Sequence, residues 1–149
     1  MCGPRERTGL ACSTTSRPAA IARMKAEGLA PALVVETSPR NFQAWLKHGQ
    51  ALDQATSTRV AKELALWFGG DPGSADWRHF GRLAGFTNLK PYRRLESGLQ
   101  PFARLVETSG KVYIRAAAFI TEFRAVIAVA VVSETVGVGV GAGCSRFAA

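Results

Sequence analysis

The apolar positions of this 149-residue chain fall into short blocks whose spacing changes along its length. Ile21 and Met24, three apart, follow Pro18 and precede Gly28. Proline suits the first helical turn and glycine the exit, so a short helix is expected from about Pro18 to Gly28. Ala32-Leu33-Val34-Val35 is a compact β-branched run and reads as a buried strand. Thr37-Ser38-Pro39 then offers a cap and a helix-opening proline. Phe42, Trp45 and Leu46 follow at i, i+3, i+4, which predicts a second helix ended by Gly49. The clearest periodicity runs from Thr56 to Phe68, with Val60, Leu64, Trp67 and Phe68 on one stripe. Thr56 or Ser57 is the expected cap, and Gly69-Gly70 the terminator.

Beyond Gly70 the pattern breaks. Asp71 to Arg94 reads as loop. Short strands are expected at Phe102–Val106 and Lys111–Ile114, and a helix from Ala116 to Arg124. The chain then becomes a Val/Ala/Gly tail, compatible with a glycine-weakened strand. Residues 1–20 show no apolar period and predict an unstructured leader. The expected organisation is a leader at 1–17, one domain at 18–124 and an atypical tail at 125–149. The expected fold is α+β, a small antiparallel sheet packed with helices.

Charge alters this picture. Lys and Arg number 19 against 11 Asp and Glu, a net charge of +8. Such a balance concerns partners more than fold, and nucleic acid is the leading candidate. Cys2, Cys12 and Cys144 form no CxxC pair, which argues against zinc and for a reducing, cytoplasmic setting. The run Ala125–Val132 is too short to span a bilayer, so no membrane partner is expected. His48, at the end of the expected second helix, reads as a surface or cap residue. P-loop, GxSxG and HExxH motifs are absent from the sequence.

The charge concentrates between Arg78 and Arg94, in RHFGRLAGFTNLKPYRR. Arg78, Arg82, Lys90, Arg93 and Arg94 are interleaved with His79, Phe80, Phe86 and Tyr92, and no acid interrupts them. Cations for phosphates and aromatic faces for bases make a surface suited to single-stranded nucleic acid. Asn88 can pair with a base or sugar, and Gly81 and Gly85 permit close backbone approach. The plainer alternative is a solvated basic loop anchored by Phe80 and Phe86. Just upstream, Asp71 and Asp76 in GGDPGSAD are either turn residues or carboxylate ligands for Mg²⁺ or Mn²⁺.

Two strings, ALVVETSPRNFQAWL and GGDPGSADWRHFGRLAGFTNLKPYRR, together resemble the RepB-like DNA primase domain of plasmid replication proteins and some conjugative relaxases. That family carries a strand leading into T-S-P-x-N-F/Y-Q-x-W, then Gly-x-Asp and R-F/L-x-G-F-x-N-x-K-P. The matching elements run from about Ala22 to Phe123, roughly two thirds of the chain. The resemblance implies an archaeo-eukaryotic primase-like core. It further implies a nucleotidyltransferase making primers on single-stranded DNA from nucleoside triphosphates, serving a plasmid or mobile element with its helicase or relaxase. It implies Mg²⁺ or Mn²⁺ held by aspartates, with Asp71 preferred over Asp76 as the late ligand. His79, Arg82, Asn88 and Lys90 would contact nucleotide or template, as would Arg93 and Arg94 beside them. One departure stands out: the family's adjacent pair of aspartates is expected before the helix at Pro18. Ser13-Thr14-Thr15-Ser16-Arg17 stands there instead, and the first aspartate of the chain is Asp53.

Overall fold

The computed structural model describes residues 10–77 and 81–136; side chains are described from residue 17 to residue 126 within those spans. The elements run β1 (Leu10–Ser16), α1 (Pro18–Ala26), β2 (Leu33–Ser38), β3 (Asn41–Lys47), α2 (Gln54–Trp67), β4 (Arg104–Thr108) and α3 (Ala116–Val136). Short 3-10 turns cover Pro72–Ser74 and Pro91–Arg93. The strands form one antiparallel sheet in the order β1-β3-β2-β4. The expected α+β architecture is therefore present.

β2 and β3 make a two-residue hairpin, with Ser38 opposite Asn41. This corrects the helix expected after Ser38. Proline presets the first central position of the turn, and Arg40 takes φ 63° at the second. The Glu36 carboxylate accepts from the Arg40 N–H at 3.1 Å, and Asn41 Nδ2 donates to the Pro39 carbonyl at 2.9 Å. Strand alternation also explains the apolar positions: Ala44 and Leu46 enter the core while Gln43 and Trp45 lie on the opposite face. His48 follows directly and is 2% exposed, so it is a core residue rather than a surface cap.

β1 lies within the stretch expected as leader, and its pairing with β3 supplies the backbone partners that a polar Ser/Thr run needs. α3 likewise continues past Arg124 to Val136, through the run assigned to the tail. The Val/Ala composition bars neither strand nor helix, and the register of Phe119 and Ile120 on the core carries the helix onward. The Val-Gly alternation beyond Val136 lies outside the described residues. Residues 111–114 form no strand; they cross over to α3 and place Tyr113 inside.

α2 buries Ser57, Val60, Ala61, Leu64 and Ala65 at helical spacing. Its cap is Asp53, whose Oδ1 accepts from the Thr56 N–H at 2.9 Å, one turn earlier than the expected Thr or Ser. Gly69 at φ 65° and the Gly70 N–H donating to the Ala65 carbonyl at 2.6 Å close the helix in a Schellman turn. Met24 of α1, Leu46 of β3, Leu64 of α2 and Ile120 of α3 are fully buried at the centre. No helix among the described residues is long and apolar enough to cross a membrane.

Candidate nucleic-acid interface

At the end of the sheet where β1 runs out and the β2–β3 hairpin turns lies a cleft of about 660 Å³. Five cations line it: Arg17 after β1, Arg40 in the hairpin turn, and Arg82, Lys90 and Arg93 from the loop after α2. Asp71 is the only carboxylate among the lining residues. The described salt bridges join Arg23–Glu27, Lys25–Glu107 and Arg104–Glu36, and none involves these five cations. With five cations to one lining carboxylate, the cleft carries a net positive charge.

The loop carrying Arg82 and Lys90 is held by specific contacts. Gln43, buried on β3, accepts through Oε1 from the Arg82 N–H at 2.7 Å. Gly81 lies so close to Trp45 that an added Cβ would sit 2.4 Å from the indole Cζ2. The glycine expected to admit a phosphate thus admits an indole ring. Further along, Gly85 N–H donates to Ala103 O, Ala103 N–H to Phe86 O and Asn88 N–H to Pro101 O, all within 2.7–2.8 Å. These bonds pair the loop with the segment entering β4. Asn88 is 3% exposed; its Nδ2 donates to the Thr37 carbonyl at 2.8 Å, and its Oδ1 accepts from the Lys90 N–H at 3.3 Å. It lines the cleft, but its amide fastens Lys90 to the end of β2.

Tyr92 stands at the outer edge, 70% exposed. Lys90 Nζ and Arg93 Cζ lie 5.6 and 5.4 Å from its ring centroid, within cation–π range. A hydrogen bond with Lys90, aided by nearby positive charge, holds the phenol below its usual pKa.

Asp71 opens the 3-10 turn after α2. It accepts from Ser74 Oγ at 2.6 Å and from the Gly73 N–H at 2.9 Å. These bonds, Ser74 first, hold its carboxyl below the usual value, and Lys90 adds to the effect. Asp76 is half-buried and does not line the cleft. His79, with Arg78 and Phe80, lies outside the described residues. Arg94 lines a neighbouring basin.

Two divalent ions require several carboxylate oxygens around one point. Among the described residues, no three His, Cys, Asp or Glu side chains gather as a metal site. The sequence of β1, LACSTTS, holds no carboxylate, and Asp71 already serves its own turn. Among the described residues, the side chains present do not fit a two-metal centre.

Sequence reasoning named Arg82, Asn88, Lys90, Arg93 and Asp71, and the fold brings all five to one cleft. It missed Arg17, Arg40 and Gln43. Arg40 and Gln43 lay inside a recognisable motif, yet a helical reading of that motif hid the turn that aims them.

The small α+β scaffold thus presents five cations around one lining carboxylate, a cleft whose charge suits anionic groups. Residues 15–131 match the RepB DNA-primase N-terminal domain, and the chain belongs to that family. It is 52% identical to Mobilization protein A of Escherichia coli over 88 residues, which are 59% of this chain and 12% of that protein. It is 38% identical to the crystal structure of primase RepB′, with a TM-score of 0.81, covering 92% of this chain and 46% of that one. A structure of the RepB′ catalytic domain in complex with initiator DNA is 39% identical, with a TM-score of 0.75, covering 87% of this chain and 65% of that one. The chain thus spans a small part of the curated relative and under two thirds of each solved chain.

Proposed function

We propose that this domain holds single-stranded DNA and the phosphates of a nucleoside triphosphate in its basic cleft, in the service of priming plasmid or mobile-element replication in the cytoplasm. The observation that carries this reading is the convergence of Arg17, Arg40, Arg82, Lys90 and Arg93, from three separate stretches of chain, around one carboxylate. Arg offers paired donors and Lys a compact charge, both suited to phosphate oxygens. The complex of RepB′ with initiator DNA supports a DNA partner. A helicase or relaxase of the same element is the expected companion, in keeping with the mobilization protein among its relatives.

A second reading is favoured by the missing carboxylates: the domain binds strand and nucleotide without joining them. Primer synthesis by metal-bound aspartates would need ligands beyond Asp71.

The test is fluorescence anisotropy of a labelled single strand across a salt series, with and without Mn²⁺ and nucleoside triphosphate. Affinity should fall steeply with salt. The double variant K90A/R93A should reduce the slope of log K against log salt by about 1.4, at about 0.7 per phosphate contact. A salt-independent affinity, or one indifferent to both substitutions, would refute the binding reading. Labelled product from single-stranded template with Mg²⁺ or Mn²⁺ would overturn the non-catalytic one.

A further inference from the structure

Beside the main cleft lies a second basin of about 520 Å³, walled by Arg93, Arg94, Glu96 and Ser97. The two basins share Asn41, Tyr92 and Arg93, so Tyr92 forms the divide between them. A large aromatic exposed to 70% contributes little to a core and stands ready for contact with a ligand. Its backbone is well fixed. Pro91 presets the 3-10 turn, Arg93 N–H donates to Lys90 O at 2.9 Å, and Arg94 N–H to Pro91 O at 3.3 Å. The next turn is closed by Gly98 N–H to Leu95 O at 2.8 Å and Leu95 N–H to Leu99 O at 2.9 Å, which holds the far wall of the second basin.

A preset aromatic ring with cations on both sides matches the repeat of a single strand: phosphate, base, phosphate. We propose that single-stranded DNA crosses from the main cleft into the second basin over Tyr92. One base stacks on the Tyr92 ring, its phosphate meets Lys90 and Arg93, and Arg94 takes the following phosphate. This rests on the reading of the main cleft as a DNA site and adds its direction of exit. A mononucleotide reaches only the first basin, whereas an oligonucleotide occupies both. Duplex DNA is excluded, because a paired and stacked base cannot present its face to the ring.

The experiment measures anisotropy of labelled oligothymidylates of two, four and eight nucleotides on the full chain. With the unaltered protein, affinity should rise roughly tenfold or more from the shortest to the longest, as a stacked base and a further phosphate are added. Arg94→Ala should flatten that rise and lower the salt slope for the octamer by about 0.7. Tyr92→Ala should weaken octamer binding by roughly ten- to a hundredfold, and Tyr92→Trp should restore it. Tyr92 is exposed, so an unchanged melting temperature in both variants confirms that binding, and not folding, is being read. Affinity independent of length, octamer binding indifferent to Tyr92→Ala, or duplex bound as tightly as single strand would each overturn the proposal while leaving the main cleft as a DNA site. Failure of the unaltered chain to bind any oligonucleotide at low salt would overturn both.

Discussion

Acidification between pH 6.5 and 4.5 should destabilise this domain through one residue, His48. Its ring is 2% exposed, beneath the crossover that carries Tyr113. Nδ1 lies 2.8 Å from the Tyr113 hydroxyl, with the two rings edge-to-face at 5.5 Å, while Nε2 has no hydrogen-bond partner among the described residues. Burial pushes the imidazole pKa down from 6.5 to about 4, because a buried ring resists charging. In the unfolded chain the ring takes up a proton near pH 6.5; in the folded chain it does so only near pH 4. Between these values the unfolded state binds more protons, so stability rises with pH. The contribution is fully present above pH 6.5 and is lost as pH falls toward 4. Its full size is about 3 kcal/mol at 1.36 kcal/mol per unit, and about 2 kcal/mol of that is lost by pH 5. The lowered carboxyls of Glu36, Asp53 and Asp71 lose their contributions at lower pH, below the ordinary values of 3.8 to 4.5, so the upper window isolates the histidine. Urea unfolding at half-unit intervals, followed by circular dichroism, reads the slope. His48→Phe keeps an aromatic ring beside Tyr113 and should remove most of the slope while lowering stability at neutral pH. A flat profile between pH 6.5 and 4.5 would refute the argument, as would an equal slope in the His48→Phe chain.

Three other substitutions test the scaffold around the cleft. Asn88→Ala should cost about 1–3 kcal/mol in denaturant unfolding, because it strands the buried Thr37 carbonyl, and should loosen Lys90 enough to weaken strand binding. Gly81→Ala drives a methyl group into the Trp45 ring and should cost about 1–3 kcal/mol, seen as a lower melting temperature with altered tryptophan fluorescence. Asp53→Ala removes the α2 cap and should cost about 1 kcal/mol in thermal unfolding without altering the salt dependence of DNA binding.

The sequence by itself determined the elements whose pattern is local. α1 follows from apolar spacing bounded by proline and glycine, α2 from a longer apolar period closed by Gly69-Gly70, and β2 from a β-branched run. The α+β class and the basic character of the loop after α2 were equally legible, since composition and charge do not depend on the fold. Motif order carried the family, which the match over residues 15–131 shows. The hairpin was not legible, because Phe42, Trp45 and Leu46 satisfy a helical period while alternation within β3 sends Leu46 and Trp45 to opposite faces. Pairing with β1 and β2 settles the choice, and that is a long-range interaction. The burial of His48 follows from the same strand. The cleft, too, belongs to the tertiary structure alone. Arg17 and Arg40 lie far in sequence from Lys90, and only the antiparallel order of the sheet brings their strand ends together. Asn88 shows the same division: its residue type suggested a ligand contact, but its neighbours in space use the amide to hold the loop.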